Sequence, residues 1–425
     1  MRVLRMGSTG PAVQLLQLAL NRAGFGELLT DGRFGSATAA ALQAFQRAQG
    51  LQADAVAGAQ THRALLPWYT GYVSHLLRPG DTLYALARRY GTTVEAIALS
   101  NPGLEPEALP VGGRLVVPLP FPVVPTDIAW CSALVAYCVR GLAARFPFLR
   151  VGQFGSSELG RPLWRLSLGE GENRVLYNAC HHANEWITTP LLLCWVEELA
   201  WAFSMGGTVS GFSAGELLDY ATVCLAPCVN PDGMDLVTGE LQDQEQLEPV
   251  RRIAAAYPRW PFPTGWKANI RGVDLNLQYP AGWEQAREIK FAQGVVSPAP
   301  ADFVGPAPLA AAEARALYRY TAAFDPALIL AFHTQGEVIY WRYLDCEPPQ
   351  GRAIAEAFAQ SSGYSVEETP YDSGFAGYKD WFILRYNRPG YTVEAGLGEN
   401  PLPLEQFPAI YEACRGILTL GALVT

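Results

Sequence analysis

The sequence predicts an α/β fold for residues 127–425, with helices on both faces of a sheet, preceded by two small modules. Short apolar runs of strand length alternate there with longer segments whose apolar residues recur at helical spacing. The strand-like runs are 174–180, 222–229, 328–333 and 390–394, and the helix-like segments include 190–203 and 309–323. A proline-rich stretch separates this large domain from the modules in front of it.

Residues 1–67 predict a small module of three helices. Apolar residues recur at helical spacing around Val13, around Ala40 and again towards Leu65. Turns rich in Gly and Asp, at 30–35 and 54–58, separate these segments, because both residue types tolerate positive φ.

Residues 72–118 predict a β-α-α-β unit. A first strand leads to a Pro-Gly-Asp turn and a helix that Gly91 ends, and a second helix and a returning strand follow. Prolines in residues 119–126 then indicate a semi-rigid linker. Within the large domain, the polar and Pro-rich stretch 236–264 predicts a long surface loop.

Composition excludes several classes of protein. Half of the 425 residues are hydrophobic, which is enough for a sizeable core and argues against disorder. The net charge of −9 argues against a general nucleic-acid binder, and no apolar run reaches the length of a membrane helix. The eight cysteines form no CxxC pair and are expected to be buried thiols.

Two histidines and a glutamate have the spacing of metal ligands. His182 and Glu185 follow the apolar run 174–180, and their separation of three residues can turn both side chains toward one point. His333 ends the apolar run 328–333 and is available as the third ligand. A catalytic zinc ion takes three protein ligands and keeps one position for water.

Two carboxylates supply the remaining parts of a hydrolytic site. Glu394 ends the run 390–394 and is either a salt-bridge partner or the base that activates water. Asp274, in the sequence Gly-Val-Asp-Leu-Asn, is placed to orient a zinc-bound histidine through its second ring nitrogen.

The two front modules resemble wall-binding domains. The pattern V-xx-LQ, DGxFGxxT and FQxxxGL in residues 1–67 is similar to the peptidoglycan-binding domain of many cell-wall hydrolases. The PGDTL turn, the SNP turn and the final V-VP of residues 72–118 resemble a LysM domain. The resemblance implies peptidoglycan and N-acetylglucosamine-containing glycan as partners, and a spacer without ligand is the alternative.

The motifs of residues 127–425 resemble zinc metallocarboxypeptidases. HxxE-W-I-T, PCVNPDG, GVDLN, a strand-end His and T-V-E follow one another in the order of that family. The resemblance implies a mixed, roughly eight-stranded sheet sandwiched by helices, and one zinc ion per chain. By position, the metal ligands are His182, Glu185 and His333. Glu394 matches the general base and Asp274 the residue that supports the first histidine, whereas His181, one place early, is expected to be structural.

One departure from that family changes the expected substrate. Carboxypeptidases of the family carry Asn-Arg after GVD-x, and the pair grips the free carboxylate of the substrate. Asn276 is present here as a substrate-binding residue, but Leu277 replaces the arginine. The surrounding sequence 265–280 resembles bacterial γ-D-glutamyl-diamino acid endopeptidases, which cut the γ-D-glutamyl–diaminopimelate (or lysine) bond of peptidoglycan stem peptides.

Two cations are candidates for the remaining roles in such a reaction. Lys267 and Arg271 divide oxyanion stabilisation and binding of the D-glutamate carboxylate between them, and the sequence does not decide which does which. Tyr371 and Tyr378 lie in a Gly-rich stretch and belong either to a substrate flap or to ordinary aromatic packing.

Two other functions and the location stay open at this stage. A zinc carboxypeptidase in which another basic residue replaces the missing arginine is the alternative enzyme, and a wall-binding protein with an inactive hydrolase fold is the non-enzymatic alternative. Residues 1–20 show no secretory signal. The sequence therefore predicts a cytoplasmic, spore-associated or wall-associated protein, and the resemblance suggests a role in sporulation.

Overall fold

A computed structural model describes residues 2–424 and divides the chain into two compact units, 1–150 and 151–425. The first unit contains the two small modules and one further helix. Its helices and strands are α1 (Pro11–Arg22), α2 (Ser36–Ala48), α3 (Ala59–Thr70), β1 (Tyr72–Leu76), α4 (Leu83–Tyr90), α5 (Val94–Leu99), β2 (Arg114–Pro118) and α6 (Ser132–Arg145).

The three-helix module is held together by two similar glutamine-centred turns. Gln17 Nε2 donates to Asp31 Oδ1 (2.8 Å), while its Oε1 accepts from the Gly32 backbone N–H (3.0 Å). Gln46 Nε2 donates to Asp54 Oδ1 (3.0 Å), and its Oε1 accepts from the backbone N–H of the residue after Asp54 (3.1 Å). Both glutamines are buried, so each turn is fixed by a satisfied internal network.

Helix α6 packs within the first unit, although the sequence assigned it to the large domain. Its Tyr137 stacks on Tyr69 of α3, with ring centroids 5.1 Å apart. The Arg145 guanidinium at its end donates to the carbonyls of Gly71 (2.7 Å) and Leu119 (2.7 Å). The antiparallel strands β1 and β2 complete the β-α-α-β unit, as their order in the sequence predicts.

The second unit is built on a mixed sheet of eight strands, which confirms the predicted fold class. In spatial order the strands are β11 (Ser365–Glu367), β10 (Val338–Tyr340), β12 (Gly390–Glu394), β9 (Leu328–His333), β5 (Asn173–Ala179), β8 (Ala221–Ala226), β4 (Pro162–Leu168) and β3 (Arg150–Ser156). The four central strands β12, β9, β5 and β8 run parallel. A separate short hairpin is formed by β6 (Thr208–Val209) and β7 (Phe212–Ser213).

Helices cover both faces of this sheet, because successive side chains of a strand point to opposite sides. On β5, Leu176 lies in the buried cluster that contains Leu317 and Trp381. Its neighbour Tyr177 faces the other way, where its ring contacts Trp195 and its hydroxyl donates to the Leu418 carbonyl (2.9 Å). The helices are α7 (Thr188–Ser204), α8 (Ala214–Tyr220), α9 (Pro231–Val237), α10 (Gln244–Ala256), α11 (Trp283–Ala292), α12 (Ala312–Phe324), α13 (Gly351–Ser362), α14 (Tyr378–Tyr386) and α15 (Phe407–Gly421).

The predicted long loop at 236–264 is wrong, because helix α10 occupies much of it. The Asp243 side chain accepts from the Glu245 N–H and caps its first turn. Leu247, Val250 and Ala254 are buried at helical spacing. The polar residues of this helix, its internal Pro249 and the Pro- and Trp-rich sequence after it give the whole stretch the composition of a loop.

Two predictions drawn from composition concern thiols and membranes. No disulfide joins any of the eight cysteines, and six of them are buried, as expected. Within residues 2–424, none of the helices combines the length and hydrophobicity that crossing a lipid bilayer requires.

Candidate metal centre and active-site cavity

The candidate site lies where three neighbouring parallel strands end. The register pairs Ala179 of β5 with Phe332 of β9, and His333 of β9 with Glu394 of β12. The carboxyl ends of parallel strands meet at one edge of a sheet, where α/β proteins place their ligands. Residues far apart in the sequence therefore come together there without any long loop to carry them.

Three buried side chains converge on one point at this edge. His182 Nδ1 lies 2.8 Å from Glu185 Oε1, and His333 Nδ1 lies 2.9 Å from Glu185 Oε2. The two Nδ1 atoms are 3.2 Å apart. One donor atom from each of the three residues lies within 4.8 Å of the others, and all three residues are buried.

The donor set fits a divalent metal. Two imidazole nitrogens that face each other beside a carboxylate form a set of donor atoms that one cation can bind together. His182 Nε2 lies 3.2 Å from Asp274 Oδ1, so a carboxylate faces the other nitrogen of the ring. Two imidazoles and one carboxylate form a three-ligand set, which leaves a zinc ion one position for water.

Hydrogen bonds hold the turn that contains His182 and Glu185, called here the metal turn, against the segment that carries Lys267. The Ala183 N–H donates to the Lys267 carbonyl (2.9 Å). Asn230 Nδ2 donates to the carbonyls of both His181 and Ala268 (3.1 Å each). Asn230 belongs to the PCVNPDG motif, and its buried amide is what joins the two segments.

His181 is a packing residue, as expected. It is fully buried, its ring stacks on that of His333 with centroids 5.5 Å apart, and its Nε2 lies 3.0 Å from the Tyr279 hydroxyl. Burial lowers the pKa of His181 well below the usual value, so the ring is neutral.

A cavity of about 340 Å³ opens beside the converging side chains, and Lys267, Asn276 and Glu394 all line it with His182. Lys267 Nζ lies 3.7 Å from Glu185 Oε1. Burial lowers the pKa of Lys267, but Glu185 and Asp274 outweigh it and raise the pKa, so the ammonium stays charged.

Glu394 faces the same cavity in an environment that disfavours its charge. Burial raises the pKa of the Glu394 carboxyl, and the Glu185 carboxylate adds to that rise, while His333 and Lys267 oppose it. A carboxyl shifted toward neutrality is better matched to accepting and returning a proton than an ordinary surface glutamate.

Arg271 is not brought into this cavity. Its side chain is 62% exposed, and its Nε lies 3.5 Å from Glu158 Oε2. Asn276 is held at the cavity by its Oδ1, which accepts from the Tyr378 N–H (3.0 Å). Leu277 is buried in the hydrophobic core cluster. This position therefore supplies no guanidinium group that could bind a carboxylate through two hydrogen bonds.

Sequence reasoning missed two charged residues of the cavity, Lys379 and Asp380. The available signal was that Lys379 is one of only three lysines in the chain. The two tyrosines of the Gly-rich stretch lie in different environments. Tyr378 is buried in the core, with its hydroxyl 2.8 Å from Thr321 Oγ1, whereas Tyr371 is 62% exposed and lines an adjoining cavity.

Family comparisons divide the chain at the same modules. Residues 9–65 match the peptidoglycan binding domain and residues 75–118 match the LysM domain. Residues 135–413, most of the chain, match the zinc carboxypeptidase family. The chain belongs to the zinc carboxypeptidase family. Zinc is thus the cofactor of this metallopeptidase, and the converging His182, Glu185 and His333 form the donor set for it.

Two relatives align with much of this zinc carboxypeptidase family member. The chain is 39% identical over 398 residues to gamma-D-glutamyl-L-diamino acid endopeptidase 1 of Lysinibacillus sphaericus, which covers 81% of this chain and 98% of that protein. It is 42% identical over 277 residues to the uncharacterized protein YqgT of Bacillus subtilis (strain 168), covering 64% of this chain and 72% of that one.

Solved structures confirm the fold of the family member. Carboxypeptidase A from Helicoverpa armigera superposes with a TM-score of 0.53 at 19% identity, covering 81% of each chain. The similarity between the two structures lies in the arrangement of the sheet and the helices. The matches to the peptidoglycan-binding and LysM domains, in turn, imply that the protein binds peptidoglycan or its glycan.

Proposed function

We propose that the protein is a zinc-dependent endopeptidase that hydrolyses the γ-D-glutamyl–diaminopimelate (or lysine) bond of peptidoglycan stem peptides. The observation that carries this proposal is Leu277. An enzyme that trims C-termini needs a cation beside Asn276 to hold the terminal carboxylate, and a buried leucine offers none. A peptide chain that continues past the cleaved residue meets no missing partner there.

Two further findings support the substrate. The relative from Lysinibacillus sphaericus, a gamma-D-glutamyl-L-diamino acid endopeptidase, aligns over 98% of its length. The two wall-binding domains bring the enzyme to its polymeric substrate and raise the local concentration of stem peptides.

The chain's own residues divide the chemistry of amide hydrolysis between them. The zinc ion supplies Lewis acidity and a water of lowered pKa when bound. Glu394 accepts the proton of the attacking water at its carboxylate and delivers it to the leaving amine nitrogen. The Lys267 ammonium faces the oxygen on which negative charge develops as the carbonyl carbon becomes tetrahedral.

Two other residues position the reacting groups. Asp274 holds His182 through its second nitrogen and fixes the ring that faces Glu185. The Asn276 side chain, anchored by the Tyr378 N–H, binds the substrate backbone. Arg271, which is exposed and close to Glu158, does not line the cavity, so its proposed role in catalysis or in binding the D-glutamate carboxylate rests on the chemistry of its guanidinium.

The experiment that tests this function is mass spectrometry of purified muropeptides incubated with the full chain, with and without a zinc chelator. We expect chelator-sensitive splitting into an L-Ala-D-Glu fragment and a fragment that contains the diamino acid. Peptides with free and blocked C-termini serve as paired substrates, and both should be cut. Loss of a single terminal residue from unblocked peptides alone would instead establish the carboxypeptidase.

A variant separates catalysis from binding in the same assay. Glu394→Gln keeps the shape of the side chain but removes the base, so turnover should fall by roughly 10²–10⁴-fold while zinc stays bound. Glu356→Gln, on the exposed face of α13, is the matched control and should retain activity. Unchanged turnover in Glu394→Gln would exclude Glu394 as the base.

A further inference from the structure

The cavity contains a second lysine that the mechanism does not use. The chain has three lysines, and two of them, Lys267 and Lys379, line this one cavity. Lys267 is the cation beside the metal ligands. Lys379 lies at the start of α14 beside an acidic neighbour, Asp380, which also lines the cavity.

Lys379 and Asp380 form a buried ion pair whose hydrogen-bond donors and acceptors are not all used. Lys379 Nζ lies 2.6 Å from Asp380 Oδ1 and donates to the Arg342 carbonyl (2.6 Å), and both side chains are only 4% exposed. Asp380 Oδ2 accepts from the Gly377 N–H (3.2 Å). An ammonium has three N–H donors, so one remains for a ligand. The Lys379 ammonium occupies Asp380 Oδ1, which is itself buried, whereas Oδ2 accepts only from the Gly377 N–H and keeps a second lone pair for a ligand.

Such a pair is complementary to a ligand that carries both charges. Burying two ions is unfavourable unless further partners satisfy their remaining hydrogen-bonding groups. Here the two charges stand side by side at a cavity wall, one cation with a spare donor and one anion with a spare acceptor. A free α-amino acid group, which carries an ammonium and a carboxylate on one carbon, offers the matching pair of partners.

Asp380 also belongs to an adjoining cavity of about 410 Å³, which shares Thr369 with the first. The pair therefore lies where a substrate side chain can extend away from Glu394 and Lys267. A diaminopimelate residue ends in a free amino acid group, whereas a lysine residue ends in an ammonium alone.

We propose, resting on the proposed function, that Lys379 and Asp380 bind the distal amino acid group of diaminopimelate and make the enzyme prefer it over lysine. Lys379 donates to the distal carboxylate, and Asp380 accepts from the distal ammonium. A lysine peptide satisfies Asp380 only, and its ammonium meets the Lys379 charge without an intervening carboxylate.

The test uses three tetrapeptides, L-Ala-γ-D-Glu-X-D-Ala, with X as diaminopimelate, lysine, or diaminopimelate amidated at its distal carboxylate. For the zinc-loaded full chain we expect kcat/KM to be roughly tenfold to a hundredfold higher for diaminopimelate than for lysine, the effect of one charged hydrogen bond. The amidated peptide should behave like the lysine peptide. This arm needs no variant, so it does not depend on a substitution that folds.

Two substitutions test separately the binding of the distal carboxylate and the binding of the distal ammonium. Lys379→Met should lower kcat/KM for the diaminopimelate peptide by roughly tenfold or more and bring the ratio of the two substrates close to one. Asp380→Asn, which keeps an oxygen for the Gly377 N–H, should lower both substrates by a similar factor. Inhibition by the dipeptide products diaminopimelyl-D-Ala and lysyl-D-Ala should follow the same pattern.

Lys290→Met is the matched control, because Lys290 is the third lysine and its buried side chain also forms an ion pair, with its Nζ 2.9 Å from Asp302 Oδ1. Its substrate ratio should equal that of the wild type, whatever its absolute rate. An unchanged ratio in Lys379→Met, or equal rates on amidated and free diaminopimelate, would overturn the proposal while leaving the endopeptidase intact. A loss restricted to tripeptides that end in the diamino acid would instead assign Lys379 to the C-terminal carboxylate. Absence of γ-D-glutamyl cleavage by the wild type would refute the proposed function itself.

Discussion

A buried glutamate that contacts Asn269, two residues after Lys267, makes the stability of the second unit depend on pH. Glu313 on α12 is fully buried, with Oε1 accepting from the Glu158 N–H (3.0 Å) and Oε2 from Asn269 Nδ2 (3.1 Å). Burial raises the pKa of Glu313 from its ordinary value of 4.5 to about 7, although these hydrogen bonds oppose the rise. The folded chain therefore holds a proton that the unfolded chain releases.

The direction and size of the effect follow from proton binding. Below about pH 4.5 Glu313 is protonated in both states, and its contribution to stability is fully present. As pH rises from about 4.5 to about 7, the unfolded chain alone loses the proton, so the free energy of unfolding falls. At about 1.4 kcal/mol per pH unit, this shift amounts to about 3 kcal/mol.

The variant Glu313→Gln removes this dependence. When its oxygen accepts from the Glu158 N–H, its NH2 group faces Asn269 Nδ2 and cannot accept from it, so the variant should be about 1 kcal/mol less stable than the wild type at low pH. Its curve should then cross that of the wild type as pH rises, with a relative gain of roughly 6–12 °C in Tm. Calorimetry identifies the relevant transition as the one that a zinc chelator lowers, and Glu356→Gln is the exposed control. Curves for wild type and Glu313→Gln that stay parallel across this range would refute the raised pKa.

Two more substitutions test the parts of the second unit that hold its site together. Asp274→Asn removes the carboxylate that faces His182 Nε2, so zinc affinity measured by competition with a chelator should fall by roughly 10–100-fold, whereas an unchanged affinity would separate Asp274 from the metal centre. Arg161→Met removes the cation that lies 2.6 Å from Asp232 and 3.0 Å from Asp235, both buried, and should cost roughly 3–5 kcal/mol in chemical denaturation. A cost below about 1 kcal/mol would show that the carboxylates find other partners.

Much of the fold was predictable because its signals are local. The four apolar runs chosen as strands correspond to β5, β8, β9 and β12, and these four form the parallel centre of the sheet. A strand buried on both faces must be apolar throughout, which is why these runs stand out. The edge strands β3 and β11, and β10 beside β11, are shorter or more exposed, and no such run marks them.

The convergence of the metal-site residues was predictable from the sheet, but the wall of the cavity was not. His182, His333 and Glu394 each follow or end a parallel strand, so topology alone brings them to one edge. Lys379 stands at the start of a helix, and its contact with the Arg342 carbonyl depends on how α14 packs beside the sheet. Sequence carries no periodic signal for such a contact.

The two charged groups Lys267 and Arg271 show why residue type alone did not assign roles. Both lie within one short segment, and Arg271 has the better geometry for binding a carboxylate. The Ala183 hydrogen bond to the Lys267 carbonyl fixes that residue beside the metal turn, whereas Arg271 extends to solvent near Glu158. Which of the two side chains reaches the cavity therefore depends on how the backbone is held, and this cannot be deduced from the type of charged group.

The exchange of one carboxylate-binding arrangement for another accounts for an endopeptidase on a carboxypeptidase fold. The buried leucine at position 277 supplies no cation beside Asn276, which under the proposed function lets the peptide continue beyond the cleaved residue. Specificity then has to come from the side chain of that residue instead of from its terminus. The Lys379–Asp380 pair lies on the wall of the same cavity and offers the charges that such a side chain requires. Under the proposed function, the leucine at 277 and the Lys379–Asp380 pair thus account together for recognition of a diamino acid inside the peptide.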